Sequence, residues 1–251
     1  FPLVIFSYGR LRLEVPDGYS YVYYATFIAG EWDFLKVRKD DVVLDAGAFI
    51  GDFTVKVAKK AKEVVAVEPI PWAFEILKRN VEVNGLKNVV LVNKVLYSVD
   101  GLKVRIKDNG VASSISSEGE VEVETVTISS LGRFSLVKMD IEGAEREIIR
   151  EDSDWLNHVR AIAVELHGEE NMNRIPKVLA QKGFMVREMT KSDLLKNTLR
   201  NVLFHPIDFL RAEAKTKTVL RALKGVYKVP ALEEGKSIRI IYASRPANKH
   251  K

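Results

Sequence analysis

The chain has 251 residues, is 47% hydrophobic and 29% charged, and carries 39 Lys+Arg against 34 Asp+Glu. That balance excludes disorder, collagen and low-complexity architectures, and the length suits one large α/β domain or a domain with an appendage. With no cysteine, disulfide scaffolds, Cys-ligated zinc, iron–sulfur clusters and thiol catalysis are excluded together.

His158, His167, His205 and His250 show no paired metal-ligand spacing. No apolar run approaches the ~18–20 residues of a membrane helix, so no integral membrane segment and a cytoplasmic location are expected. The sequence begins at Phe1 rather than Met, which suggests a missing natural N-terminus; no signal segment is visible. Gln181 is the only glutamine among many charges, a thermophile-like balance.

In chain order, residues 1–40 read as a β-rich extension. Residues 3–6 and 11–15 flank Ser7-Tyr8-Gly9-Arg10, a hairpin signal. The aromatic run 19–27 either lines a pocket or packs as a strand. From residue 41 strands and helices alternate: strand 42–44, helix 53–62, strand 64–67, helix 71–83 with Pro71 at its start, strand 89–95. Residues 103–107 and 121–127 alternate as an antiparallel hairpin. Strand 136–140, helix 144–150, strand 161–166 and helix 175–182 follow, with late strands at 184–188 and 237–243. Residues 191–228 form a basic helical insertion, broken by Pro206, with nine Lys/Arg and three acids. The rest of the chain is near −1. The insertion is either a solvated helical face or an arm for an anionic partner. The alternation implies an α/β fold, a mostly parallel sheet covered on both faces, in residues 41–251. Ligands in such sheets sit at the carboxyl ends of the strands.

The strongest local signal is Asp45-Ala46-Gly47-Ala48-Phe49-Ile50-Gly51 at the end of the first of these strands. It lacks the Gly-Lys-Ser/Thr of a P-loop and the spacing of G-x-G-x-x-G. An acid at position 45 repels pyrophosphate and favours a cationic or zwitterionic ligand. Glu68 ends the next strand and is placed to accept both hydroxyls of a ribose. An acidic loop with a ribose acceptor suits S-adenosylmethionine, which has an amine, a sulfonium and no phosphate.

These residues, with Val67-Glu68-Pro69-Ile70-Pro71 and Val137-Lys138-Met139-Asp140-Ile141-Glu142-Gly143-Ala144-Glu145, resemble the FkbM-type S-adenosylmethionine-dependent methyltransferases. Val164-Glu165-Leu166-His167 resembles that family's fifth strand end. The resemblance implies a seven-stranded Rossmann-like methyltransferase fold and O-methylation of a hydroxyl on a sugar or small metabolite. It implies that Asp45, Gly47, Ala48 and Gly51 hold the methionine part of the cofactor and that Glu68, followed by Pro69, holds the ribose. Leu96 and Tyr97 stand where the family's adenine border falls.

Lys138, Asp140 and Glu142 are two apart, which on a strand puts all three on one face. Buried ionisable residues are costly unless they pair or work. Asp140, Glu142 and His167 are candidate bases for a hydroxyl proton, and Lys138 would lower a carboxylate's pKa or orient substrate. The alternative is an ion-pair network in which Lys138 and Glu145 fix the loop. No metal is assigned, although Asp140 and Glu142 are a conceivable pair of ligands. The expected partner is a small-molecule or glycan acceptor. An RNA methyltransferase using the basic arm is a less favoured reading, since the Asn/Asp-Pro-Pro-Tyr motif of base amino methylation is absent. A third is an interaction module whose residues 207–223 lie on acidic lipid or a partner chain.

Overall fold

Short Val/Ile-rich runs form the strands of the computed structural model, which describes residues 2–108, 114–115, 119–218 and 238–246. β1 (Leu3–Tyr8) and β2 (Leu11–Pro16) make an antiparallel hairpin. α1 (Ser20–Tyr23) runs into a π-helical turn, Tyr24–Ala29. β3 (Val42–Ala46), α2 (Asp52–Ala58), β4 (Glu63–Val67), α3 (Pro71–Val83) and β5 (Val89–Val92) then alternate. β6 (Val95–Leu96), β7 (Lys103–Lys107), β8 (Ser114–Ile115) and β9 (Val121–Val126) build a separate four-stranded sheet. After it come α4 (Ile128–Leu131), β10 (Leu136–Met139), α5 (Glu145–Ile148), β11 (Ala161–His167) and α6 (Glu169–Gln181). The chain continues through β12 (Met185–Glu188), α7 (Lys191–Phe204), α8 (Pro206–Thr216) and β13 (Ile238–Ser244).

The main sheet has seven strands in the order β12-β13-β11-β10-β3-β4-β5. Only β13 runs antiparallel to its neighbours β11 and β12; the other pairings are parallel. This is the expected Rossmann-like, mostly parallel sheet. From β3 the chain steps outward to β4 and β5, then returns to the other side of β3 at β10. The reversal opens a crevice at the carboxyl ends of β3 and β10. Leu44, Val137, Met139, Ile162 and Val164 are fully buried beneath it. Burying such a side chain contributes about 1.5–3 kcal/mol, so the strands give the crevice a rigid floor.

Three local expectations are corrected. The aromatic run 19–27 is helical, not a strand. Its rings meet at helical spacing, Tyr23 stacking on Phe27 at 5.3 Å and on Phe6 at 4.5 Å, and this i, i+4 contact is open only to a helix. Residues 95–97 do not end the third strand of the main sheet. That strand stops at Val92, and Val95 and Leu96 pair instead with Thr125 and Val126. Lys138, Asp140 and Glu142 do not share one strand face. β10 ends at Met139, and Glu142 turns the chain with φ of 53°.

The N-terminal extension lies against the helical arm. Asn197 and Asn201 on α7 donate to the carbonyls of Gly30 and Ile28 at 2.9 and 3.2 Å. Asp33 pairs with Lys56 at 2.6 Å and with Arg200 at 2.5 Å. The arm is amphipathic: Leu195, Leu199, Leu203, Phe204, Ile207 and Leu210 are all more than half exposed between its basic residues. Residues 219–237, which include the end of the basic segment, lie outside the described residues. No helix among the described residues is long and apolar enough to cross a membrane.

Candidate active site

β3 delivers Asp45 to the floor of the crevice. Its carboxylate is fully buried, accepts the Thr54 hydroxyl at 2.6 Å, and lies 3.3 Å from Lys138 Nζ. Lys138 comes up from β10, donates to the Gly47 carbonyl at 2.6 Å, and sits 5.3 Å from the centre of the Trp32 ring. Burial opposes its charge, but Asp45, Asp140 and Asp52 outweigh burial and hold it protonated above the ordinary lysine value.

Gly47 has φ of 74°, and a Cβ there would lie 1.8 Å from the Asp140 carbonyl oxygen. Only glycine lets the β3 loop lie this close to the end of β10. The Gly47 and Ala48 amides donate back to the Val67 carbonyl, and Gly51 opens α2 with φ of 83°. Glu68 is buried at the end of β4. It accepts the Phe49 amide and the Ile70 amide, each at 2.8 Å. Burial pushes it up to about 7, against those two N–H groups. Each carboxylate oxygen keeps a second lone pair. Pro69 follows with its carbonyl accepting Asn93, and Tyr19, Phe49 and Trp72 form an aromatic wall with centroids 5.4–5.6 Å apart.

Leu96 is buried in the main core with Val126 and Ile128. Tyr97 donates its amide to the Val126 carbonyl. Asp100, downstream, accepts Thr127 and Ser130 and so caps α4. The structure thus places Leu96 on the second sheet, packed in one core with Ala46 and Val67 at the strand ends beside the glycine loop.

Across the crevice stands an acidic group. Asp140 follows β10, its amide donating to the Ala46 carbonyl at 3.0 Å. Burial and the charge of Glu165 push it well above the carboxylate range. Glu142 is pushed up to about 7 by burial, against the opposing charge of His167. His167, at the end of β11, has Nδ1 2.7 Å from Glu145, with Nε2 3.3 Å from Glu142 and 3.6 Å from Glu165. Burial opposes its charge, but Glu145, Glu165 and Glu142 raise it to about 11. Glu145 is fully buried and also accepts the Gly143 amide at 3.0 Å and the Asn171 side chain at 2.6 Å. Glu145 therefore holds the turn and the histidine, while Lys138 holds the glycine loop; the two do not pair with each other.

Sequence reasoning missed four contributors. Glu165 is two residues before His167, so the period of a strand already places both on one face. Asn171 is four after His167, and its amide also reaches the His167 carbonyl at 2.8 Å. Trp32 and Glu31 arrive from the N-terminal extension, and only tertiary packing brings them to Lys138. Burial pushes Glu31 up to about 8 and Asp52 up to about 6.

A seven-stranded sheet reversing beside an acidic glycine loop is the Rossmann-like architecture of a methyltransferase. The methyltransferase FkbM domain matches residues 45–190, more than half of the chain. The chain belongs to the FkbM methyltransferase family. It is 25% identical over 218 residues to Methyltransferase 1 of Beauveria bassiana, covering 72% of this chain and 86% of that protein. It is 26% identical over 169 residues to the hexuronic acid methyltransferase AglP of Haloferax volcanii, covering 61% and 70%. A shorter match, 44% identical over 57 residues, covers 23% of this chain and 12% of an uncharacterized RNA methyltransferase of Oceanobacillus iheyensis.

Proposed function

We propose that the protein transfers the methyl group of S-adenosylmethionine to a hydroxyl of a sugar or other small metabolite. The observation that carries this reading is the contact between the glycine loop and the acidic group. Gly47 lies against the Asp140 backbone so closely that no side chain fits between them. A methyl donor held by the loop would therefore meet an acceptor held by Asp140, Glu142 and His167.

In this reading Asp45 and the Gly47–Gly51 turn take the zwitterionic methionine part, and no phosphate site is needed. Glu68 uses its remaining lone pairs for the ribose hydroxyls. Leu96 and Tyr97 keep the adenine border that the family resemblance gives them, and the Tyr19, Phe49 and Trp72 wall beside Glu68 offers further flat apolar surface for adenine. The acceptor hydroxyl attacks the methyl carbon in line with the departing sulfur. The C–O bond forms as the C–S bond breaks, leaving a neutral thioether. The hydroxyl proton passes to a carboxylate, Glu142 or Asp140. Lys138 keeps the loop in place and does not touch the acceptor.

A sugar acceptor is favoured because AglP, a methyltransferase of a hexuronic acid, aligns with most of its own length. The RNA reading has weaker support. Its relative aligns over a small fraction of its length, and the arm that would bind phosphates exposes six large apolar side chains among its cations.

The test is calorimetric titration with S-adenosylhomocysteine, followed by methyl-labelled S-adenosylmethionine with a panel of uronic acid glycosides, neutral glycosides and RNA. Binding that is lost in Glu68→Ala, with label transferred to a glycoside, upholds the reading. A folded chain that binds no S-adenosylhomocysteine, or that labels RNA alone, overturns it.

A further inference from the structure

Asp140 Oδ1 and His167 Nε2 are both shut off from solvent; Asp140 Oδ1 accepts no hydrogen bond, and Nε2 meets only carboxylates, Glu142 at 3.3 Å and Glu165 at 3.6 Å. A buried carboxylate oxygen left without a donor costs about 1–3 kcal/mol unless something absent from the bare chain satisfies it. His167 faces the cluster with one nitrogen only, because Nδ1 is taken by Glu145, itself anchored by Gly143 and Asn171. A histidine whose far nitrogen is fixed by a buried carboxylate is the usual arrangement behind a metal-ligating imidazole. One oxygen of Asp140, one of Glu165 and a nitrogen of His167 all lie within 4.8 Å of one another. Bonds of about 2.1 Å put tetrahedral ligands about 3.4 Å apart, so side-chain shifts of about 1 Å close the set. The charge also fits. Asp140, Glu142 and Glu165 converge on the single charge of His167, whose Nε2 proton a metal ion would displace, and Lys138 is engaged by Asp45 and the Gly47 carbonyl.

We propose that Asp140, Glu165 and His167 bind a first-row divalent cation that holds the acceptor hydroxyl. Mixed carboxylate and imidazole donors suit Mn²⁺, Fe²⁺ or Zn²⁺ better than Mg²⁺ or Ca²⁺, which take oxygen ligands. Three protein ligands leave coordination positions open for substrate oxygen. The bound hydroxyl is then acidified: its proton goes to Glu142, the oxygen attacks the methyl carbon, and the C–S bond breaks. Glu145 is a positioning residue that sets the imidazole. The proposal rests on the methyltransferase reading for its role, but the binding itself does not.

The probe is Mn²⁺, followed by the loss of its free-ion electron paramagnetic resonance signal in titrations of the full chain, with Zn²⁺ competition. The wild type should take up one Mn²⁺ per chain. Asp140→Asn and Glu165→Gln should each weaken it at least about tenfold, and Glu145→Gln, which touches no metal, about 10–100-fold. The surface variant Asp152→Asn should bind as the wild type does. A wild-type chain that leaves free Mn²⁺ unchanged, or an Asp140→Asn chain that binds equally tightly, overturns the proposal. S-adenosylhomocysteine titrations of the same samples separate the two claims. Mn²⁺ uptake without cofactor binding upholds the metal site and sinks the methyltransferase cofactor reading; cofactor binding without Mn²⁺ uptake does the reverse.

Discussion

Lys138 Nζ donates to the Gly47 carbonyl at 2.6 Å, so a side chain of β10 fastens the loop that follows β3. The same ammonium is the charge partner of buried Asp45. Taking away one member of a buried pair leaves the other uncompensated, at a cost of about 3–5 kcal/mol. Lys138→Met should therefore lose stability on that order in urea unfolding, together with S-adenosylhomocysteine binding. A variant within about 1 kcal/mol of the wild type would show that Lys138 is not what holds the loop.

Gly47 and Gly85 both have positive φ, 74° and 60°, but their surroundings differ. A Cβ on Gly47 meets the Asp140 carbonyl, while one on Gly85 meets nothing within 4 Å. Gly85→Ala should cost only the left-handed penalty, about 1–2 kcal/mol. Gly47→Ala should cost more and abolish cofactor binding, because the carbonyl it strikes is backbone. Equal thermal shifts in the two variants would mean that the loop and β10 can separate freely.

Glu68, raised to about 7, makes a pH prediction with a definite sign. A raised carboxylate contributes most to stability below its unfolded value near 4.5, and that contribution is lost as pH rises through about 7. Glu68→Gln should thus gain on the wild type in the bare protein between pH 5 and 8, by on the order of 1–3 kcal/mol. Cofactor affinity should move the other way, because ribose hydroxyls donate to the ionised form. Wild-type affinity for S-adenosylhomocysteine should fall as pH drops below about 7, and in Glu68→Gln it should be weak and flat. A pH-independent wild-type affinity would remove Glu68 from the ribose.

The main sheet was legible because buried parallel strands are continuous apolar runs between helices, as at residues 64–67 and 161–166. The glycine loop was legible because an acid and two glycines around a strand end have few structural uses. What escaped depended on distant packing. Residues 95–97 read as a strand end, but their pairing with Thr125 and Val126 is set by a sheet 30 residues away in sequence. The turn at Glu142 is announced only by Gly143 after it, and a period of two ran on past the true end of β10. Glu31 and Trp32 enter the site only because a π-helical turn, without a sequence signature, carries the chain over α2.

Asp33 joins the N-terminal extension to the rest of the protein. It pairs with Lys56 from α2 and Arg200 from α7, and accepts Asn201 at 3.1 Å. Burial opposes its charge, and Lys56, Asn201 and Arg200 outweigh burial and hold it below the usual carboxylate range. Such a group contributes stability above its unfolded pKa and loses it as pH falls through the folded value. Asp33→Asn should therefore cost about 2–3 kcal/mol at neutral pH, and the gap to the wild type should narrow in acid. Because Trp32 covers Lys138 and Glu31 lies beside the acidic group, the damage should spread into the site. Hydrogen exchange should quicken across residues 20–35 and at the Gly47 loop, and S-adenosylhomocysteine affinity should drop. If exchange quickens in the extension while the loop and the affinity stay unchanged, the extension is a cover and not a wall of the active site.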